Sequence, residues 1–191
     1  AWTGAPGALT ATFAWVDYDA RNPGSLAAAP RAADPLQAFA TNERQRTGET
    51  GRHGQLGLQW RRALGPGDAD VSAWGLARRL DNPIPVRIVA LDRAAGGARA
   101  AYALPLGAGP RETRPVRLTV GGEWQRQRDD RQNFGNDAGA RGTRLLDQLE
   151  RVTNASAFAQ GVAELGPRVT LLAGLRHDRV RFRADDRLVT A

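Results

Sequence analysis

The chain has no cysteine, no methionine and no lysine, and only 6% of its 191 residues are aromatic. Without cysteine there are no disulfides and no thiolate metal sites. Without lysine, all 27 basic residues are arginines; alongside 22 glycines and abundant alanine, this is the bias that GC-rich coding produces. The net charge of +7 therefore says little about nucleic acid, since the arginines are spread beside 20 acids and never gather into a basic run. No apolar run approaches the ~18 residues of a membrane helix, and no charged, apolar signal sequence opens the chain. Its abrupt start and stop predict an interior piece of a longer polypeptide. A compact soluble core would draw on more Leu, Ile and Phe than this alanine-dominated hydrophobic content supplies.

What the sequence does carry is alternation at period 2, repeated along its length. In "LTATFAWVDY" Leu9, Ala11, Phe13 and Trp15 share one face, and Thr10 and Thr12 the other. In "HGQLGLQWRRAL" His53, Gln55, Gln59 and Arg61 oppose Leu56, Leu58 and Trp60. In "PVRLTVGGEWQRQR" Val116, Leu118, Val120 and Trp124 oppose Arg117, Thr119, Glu123 and Gln125. In "RVTLLAGLRHDRVRF" Val169, Leu171, Ala173 and Leu175 oppose Thr170, Arg176 and Asp178. Segments from Asp70, Leu91 and Asn154 are less tidy and are also read as strands. Gly96-Gly97 could be a hairpin turn.

The connections choose between these options. "GPGD" from Gly65 and "GP" at Gly166 are tight turns, and "PLGAGPRETRP" is of moderate length. Between them lie long polar stretches, Asp19 to Arg52, Leu80 to Ala90 and Asp129 to Thr153. Short and long connections alternate strictly only if Leu91 to Leu104 is one strand. Seven strands then form an antiparallel meander with all short turns at one end. Repeated long loops are uncommon in compact soluble domains. In transmembrane β-barrels, short periplasmic turns and long extracellular loops are the rule. The predicted fold is thus all-β, part of a transmembrane barrel. Trp60 and Tyr102 fall near the short-turn end, and Trp15, Tyr18 and Trp124 near the long-loop end, as two aromatic girdles require. Trp74 sits mid-strand, outside that pattern.

The run from Leu118 to Phe182 resembles the barrel of TonB-dependent outer-membrane receptors. It holds "DDR" at Asp129, a loop with Asn and Gly, "DQLE" at Asp147, a strand with Phe158 and Gln160, a two-residue turn, and "LLAGLRHD" from Leu171. Upstream, "NPGSL", "ADPLQAFATNERQRTGE" and "RRLDNPIP" are similar to earlier loops of such barrels, so the likeness extends from about Asn22 to Asp186. The resemblance implies a barrel of about 22 strands, closed by a plug. It also implies a signal peptide, a TonB box and a plug, none of which this chain contains, and uptake of a scarce solute such as a ferric siderophore. The partners implied are TonB, outer-membrane lipid and lipopolysaccharide, in the bacterial outer membrane, with no cofactor and no covalent chemistry.

Few residues are candidates for chemistry. His53 and His177 stand alone at no ligand spacing, and His177 takes a place where the family often has Tyr. "RDDR" and "ADDR" interleave acids with arginines, which favours solvated ion pairs over a cation site. "GNDAGARG" lacks the context of a phosphate loop and is read as a loop. No serine sits in a nucleophile elbow. "GTRLLDQLERV" has apolar residues at helical spacing and predicts a short helix in a loop. What remains are residues expected to face a barrel lumen: Gln55, Gln59, Arg61, Arg117, Glu123, Gln125, Gln160, Arg176 and Asp178. The reading from a different class is a soluble or secreted antiparallel β-sandwich acting as a binding module.

Overall fold

A computed structural model describes residues 2–4, 7–106 and 116–188. Eight strands form one antiparallel sheet in strict chain order. They are β1 (Trp2–Gly4), β2 (Gly7–Arg21), β3 (Gly48–Leu64), β4 (Gly67–Ile84), β5 (Arg87–Leu106), β6 (Val116–Asp137), β7 (Ala140–Gly166) and β8 (Val169–Asp186). Among the described residues no second sheet packs on the first, which leaves nothing for a sandwich to be built from. Seven of the strands are long, as the alternation predicts, and β1 adds three residues at one edge.

β5 runs unbroken through Gly96 and Gly97, so the glycine pair is no turn. These glycines are places of close approach. Trp74 stands opposite Gly97 on β4, and a Cβ on Gly97 would lie 3.0 Å from the Trp74 indole nitrogen and 2.8 Å from the Trp124 carbonyl. Trp15 and Tyr18 cover Gly54 and Gly51 of β3 in the same way, and Phe158 covers Gly121. An aromatic laid over a cross-strand glycine shields backbone that would otherwise be bare.

Two of the three long connections are themselves strand. β4 and β5 meet at a two-residue turn, Pro85–Val86, and β6 and β7 at Ala138–Gly139, where both residues adopt positive φ. Both excursions are therefore β-ribbons that rise past the rest of the sheet, and "GNDAGARG" is the tip of one of them. The helix expected in "GTRLLDQLERV" is absent, because this stretch is the rising arm of β7. Its irregular leucine spacing has a structural cause: register shifts flank Phe134, so the pairing passes from Asn133↔Leu146 to Phe134↔Arg144 and skips Leu145. Of the three long connections, the 22–47 one is irregular, with two short helices, α1 (Ala28–Ala33) and α2 (Ala40–Arg44). Most of "PLGAGPRETRP" lies outside the described residues.

Most of the few buried side chains among the described residues lie on these long excursions; Ala69, near the short turns, is an exception. Ile88 is 1% exposed, and Phe134, Leu149, Asn42, Thr47, Asn133 and Asp147 are buried with it. Arg141 and Arg144 stack on the Phe134 ring. The Asn136 amide donates to the carbonyls of Gln45 and Ile84, both at 2.9 Å, and its oxygen accepts from Gly139 N–H at 2.7 Å. One side chain thus ties the 22–47 connection to both ribbon tips. Arg187 closes the same end against Asp130 and Asp147 at 2.6 and 2.7 Å, chiefly the Asp130 hydrogen bond raising its guanidinium pKa.

Replacing Asn136 by Ala should leave two carbonyls and an N–H short of partners, a local loss of about 1–3 kcal/mol. Amide exchange of 45–47 and 138–139 should then speed up while the rest of the sheet keeps its protection; unchanged exchange there would mean that the tie carries no load. Gly121→Val drives a Cβ to within 2.6 Å of the Ala100 carbonyl. It should lower the urea midpoint of the detergent-folded barrel by the equivalent of about 1–3 kcal/mol.

Candidate functional site: the polar wall of the sheet

Because paired residues point the same way, the register assigns every side chain to one of two faces. The row Thr10↔Gln59↔Ser72↔Arg99↔Glu123↔Ser156↔Asp178 is one line across seven strands of a single face. The neighbouring row on that face is Arg61↔Asp70↔Ala101↔Gly121↔Phe158↔Arg176. All nine residues expected in the lumen, Gln55, Gln59, Arg61, Arg117, Glu123, Gln125, Gln160, Arg176 and Asp178, fall on this polar face. Leu9, Phe13, Trp15, Leu56, Leu58, Val71, Val120, Trp124, Leu171 and Leu175 fall on the other, and are exposed there.

Both aromatic girdles can be checked against the ladder. The Trp60 row reaches β5 at Ala100, and Tyr102 lies two residues nearer the short-turn end, two strands along. The Trp15 row reaches β6 at Arg128, and Trp124 lies four residues nearer that end, four strands along. Both offsets are one residue per strand, the constant slope that tilted barrel strands give a horizontal ring. Tyr18 is no girdle member: it lies on the polar face and donates its hydroxyl to Glu49. Trp74 is on the polar face as well, which explains its mid-strand position. On β8 the apolar face runs from Val169 to His177, eight steps of ~3.3 Å tilted by ~40°, or roughly 20 Å of height, close to the ~25 Å band of outer-membrane barrels.

The polar face organises its charges into clusters that span strands. Asp70 accepts from Arg61 at 2.8 Å and Gln59 at 3.0 Å, with Arg99 at 3.6 Å. Arg176 reaches Asp178 at 2.9 Å, Ser156 at 2.9 Å and Glu123 at 3.4 Å, and Gln125 donates to Glu123 as well. Arg117 meets Asp68 at 2.5 Å, and Gln55 sits 3.4 Å from His53. Nearer the long-loop end, Arg93 grips Asp129 through two hydrogen bonds of 2.8 and 2.6 Å, while Arg78 and Asn82 share Glu49 with Tyr18. The expected residues thus form two clusters, around Asp70 and around Glu123, with Gln55, Arg117 and Gln160 apart. Sequence reasoning missed Asp68, Asp70, Arg99 and Ser156. Carrying the parity of Ser72 back to Asp68 and Asp70 would have found the two acids.

These acids are therefore engaged with arginines and do not converge on a vacant point. "RDDR" and "ADDR" pair outward to other strands, Asp129 with Arg93, Arg131 with Glu150 and Asp185 with Arg151, so neither makes a cation site. Among the described residues no group of His, Asp and Glu has metal-ligand geometry. Between the short-turn end and the Asp70 cluster lies a depression of about 560 Å³ on the polar face, floored by Ala63, Ala101, Ala103 and Thr119. Small residues there leave room for another polypeptide or a solute against a charged but neutralised wall.

The comparisons with known proteins agree with this geometry. A family model described as "TonB dependent receptor-like, beta-barrel" matches residues 1–191. Among solved structures, the unliganded ferric citrate transporter FecA superposes with a TM-score of 0.77 at 14% identity, covering 96% of this chain and 28% of that one. No curated protein sequence matches. This chain thus spans little more than a quarter of the structure it resembles, with the same fold. The chain belongs to the β-barrel family of the TonB-dependent receptors.

Proposed function

We propose that the chain is part of the barrel wall of an outer-membrane active transporter that takes up a scarce solute, a ferric siderophore, with energy delivered through TonB. The observation that carries this reading is the partition of the two faces. One presents an apolar band bounded by aromatics, and the other a polar wall whose arginines and acids neutralise each other. A lipid-exposed sheet cannot end in open edges, because unpaired N–H and C=O groups have no partner in hydrocarbon. β1 and β8 both need further strands, so the remaining strands, the plug and the TonB box belong to the rest of a longer polypeptide. The mechanism follows from that placement: capture by the loop cluster, movement of the plug under TonB, and passage along the Gln55–Asp178 wall. FecA, a ferric citrate transporter, lends support to iron chelates as the solute class. Since Arg61, Arg78, Arg93, Arg99, Arg117, Arg131 and Arg176 each face an acid, the wall offers no excess of one sign, which favours a solute held by many weak polar contacts.

The direct experiment is uptake of radiolabelled ferric chelates by the source bacterium with the parent gene intact or deleted. Loss of uptake of one chelate, together with its abolition by a protonophore, is expected; undiminished uptake of every chelate would contradict siderophore transport. A point substitution tests the wall itself. Arg176→Gln should leave barrel stability nearly unchanged, since the pair is exposed and screened by solvent. Transport should slow by roughly tenfold, the equivalent of one charge-assisted hydrogen bond.

A further inference from the structure

The three long connections meet at one height. The row Thr50↔Asp81↔Ala90↔Gln132 crosses four strands, and two residues farther out on each stand Gly48, Pro83, Ile88 and Phe134. The foot of the 22–47 connection therefore lies beside the ends of both ribbons, and it is stitched there in two directions. Within the connection, the Asn22 N–H donates to the Thr47 carbonyl at 3.0 Å, and the Asn22 carbonyl accepts from the Thr47 hydroxyl at 2.7 Å and the Asn42 amide at 3.3 Å. Across to the β6–β7 tip, the Gln45 side-chain oxygen accepts from the Ala138 N–H at 3.1 Å, beside the Asn136 tie. Arg141 carries the stitching on to Asp81 of β4, and the Arg187 N–H donates to the Asp147 carbonyl at 2.8 Å. Thr47 and Ile88 are left only 2% and 1% exposed.

Residues 25–38 of the same connection are held differently. The Asp34 N–H donates to the Pro30 carbonyl, the Leu36 N–H to the Asp34 carboxylate, and the Gln37 amide to the carbonyls of Pro30 and Asp34. Each of these bonds stays inside the segment, and Leu36 is 93% exposed. Segments that move in function are drawn from those with few buried contacts and solvent-exposed hydrogen bonds. The stitched foot and ribbon ends are the opposite case: buried side chains from three separate connections, joined by bonds that would all have to break before any one of them could swing.

We infer that Asn22, Ala40 to Thr47, the two ribbon ends and Arg187 form one stationary rim that keeps its shape through uptake, so that any closure over a solute falls to parts outside it. The consequence for uptake rests on the transporter reading above; the rigidity of the rim does not. The test uses the complete receptor polypeptide carrying this segment, with any cysteine elsewhere in it replaced by serine. Nitroxide pairs at Glu43→Cys with Asp137→Cys, and at Val86→Cys with Asp137→Cys, should each give a single narrow distance distribution in detergent. The pair Leu36→Cys with Asp137→Cys should give one roughly twice as wide, and Asn136→Ala should broaden the 43–137 distribution. In cells of the source bacterium, a bis-maleimide matched to the measured 43–137 separation should lock that pair and still leave uptake of radiolabelled ferric chelate within about twofold of the unlocked strain, since locking slows transport only where the locked elements move. Broad rim distances, or uptake lost on cross-linking while both single-cysteine strains transport normally, would overturn the rim. If the parent strain takes up no ferric chelate at all, the transporter reading falls instead, and the distance distributions by themselves decide whether the rim is rigid.

Discussion

Every feature of this chain depends on backbone hydrogen bonding between neighbouring strands. A sheet in hydrocarbon has no water to satisfy its N–H and C=O groups, so each must pair with the adjacent strand. The ladder found here runs from Ala8↔Arg61 on one side to Gln148↔Asp186 on the other, with register shifts around Phe134 and between Glu164 and Gly166. Once the ladder is fixed, side-chain direction follows at period 2, and a slip of one residue would carry Leu171 and Leu175 to the polar side. Composition then needs to supply little more than small and apolar residues on one side and mutually neutralising charges on the other. That is why an alanine-rich, lysine-free chain with almost no buried core can be well specified.

The same constraint explains why the sequence was informative in some places and silent in others. Where the sheet faces two solvents, alternation is strong, and the faces of β2, β3, β6 and β8 could be read directly from Leu9, Leu56, Val116 and Val169 onward. Beyond the apolar band both faces meet water, so the selective pressure for alternation disappears. The ribbons that reach Pro85 and Ala138 therefore read as loops, although their backbones are strand. Around Phe134 the register shifts displace Leu145 and Leu146, and the leucines acquire a spacing that mimics a helix. Gly96-Gly97 resembled a turn, and only the demand for alternating connections kept β5 whole; the physical reason is the indole of Trp74 across the ladder.

The polar wall shows what parity can and cannot give. It placed all nine expected residues on one face, yet not the partners that hold them. Asp70 gathers Gln59, Arg61 and Arg99 from both neighbouring strands, contacts that depend on register and not on local pattern. The cluster around Asn136, at the long-connection end, was equally out of reach, since it joins residues 91 positions apart in the chain.

The central claim is that one face meets lipid and the other an aqueous lumen, and a cysteine scan through β8 tests it most directly, since these 191 residues hold no cysteine of their own. Single cysteines at 169–183 of the complete receptor, spin-labelled in liposomes, should alternate in their accessibility to oxygen and to a water-soluble relaxer. Positions 171, 173 and 175 should favour oxygen, and 174, 176 and 178 the aqueous reagent, with alternation fading past 181. Uniform accessibility along the strand, or alternation in the opposite phase, would contradict the account.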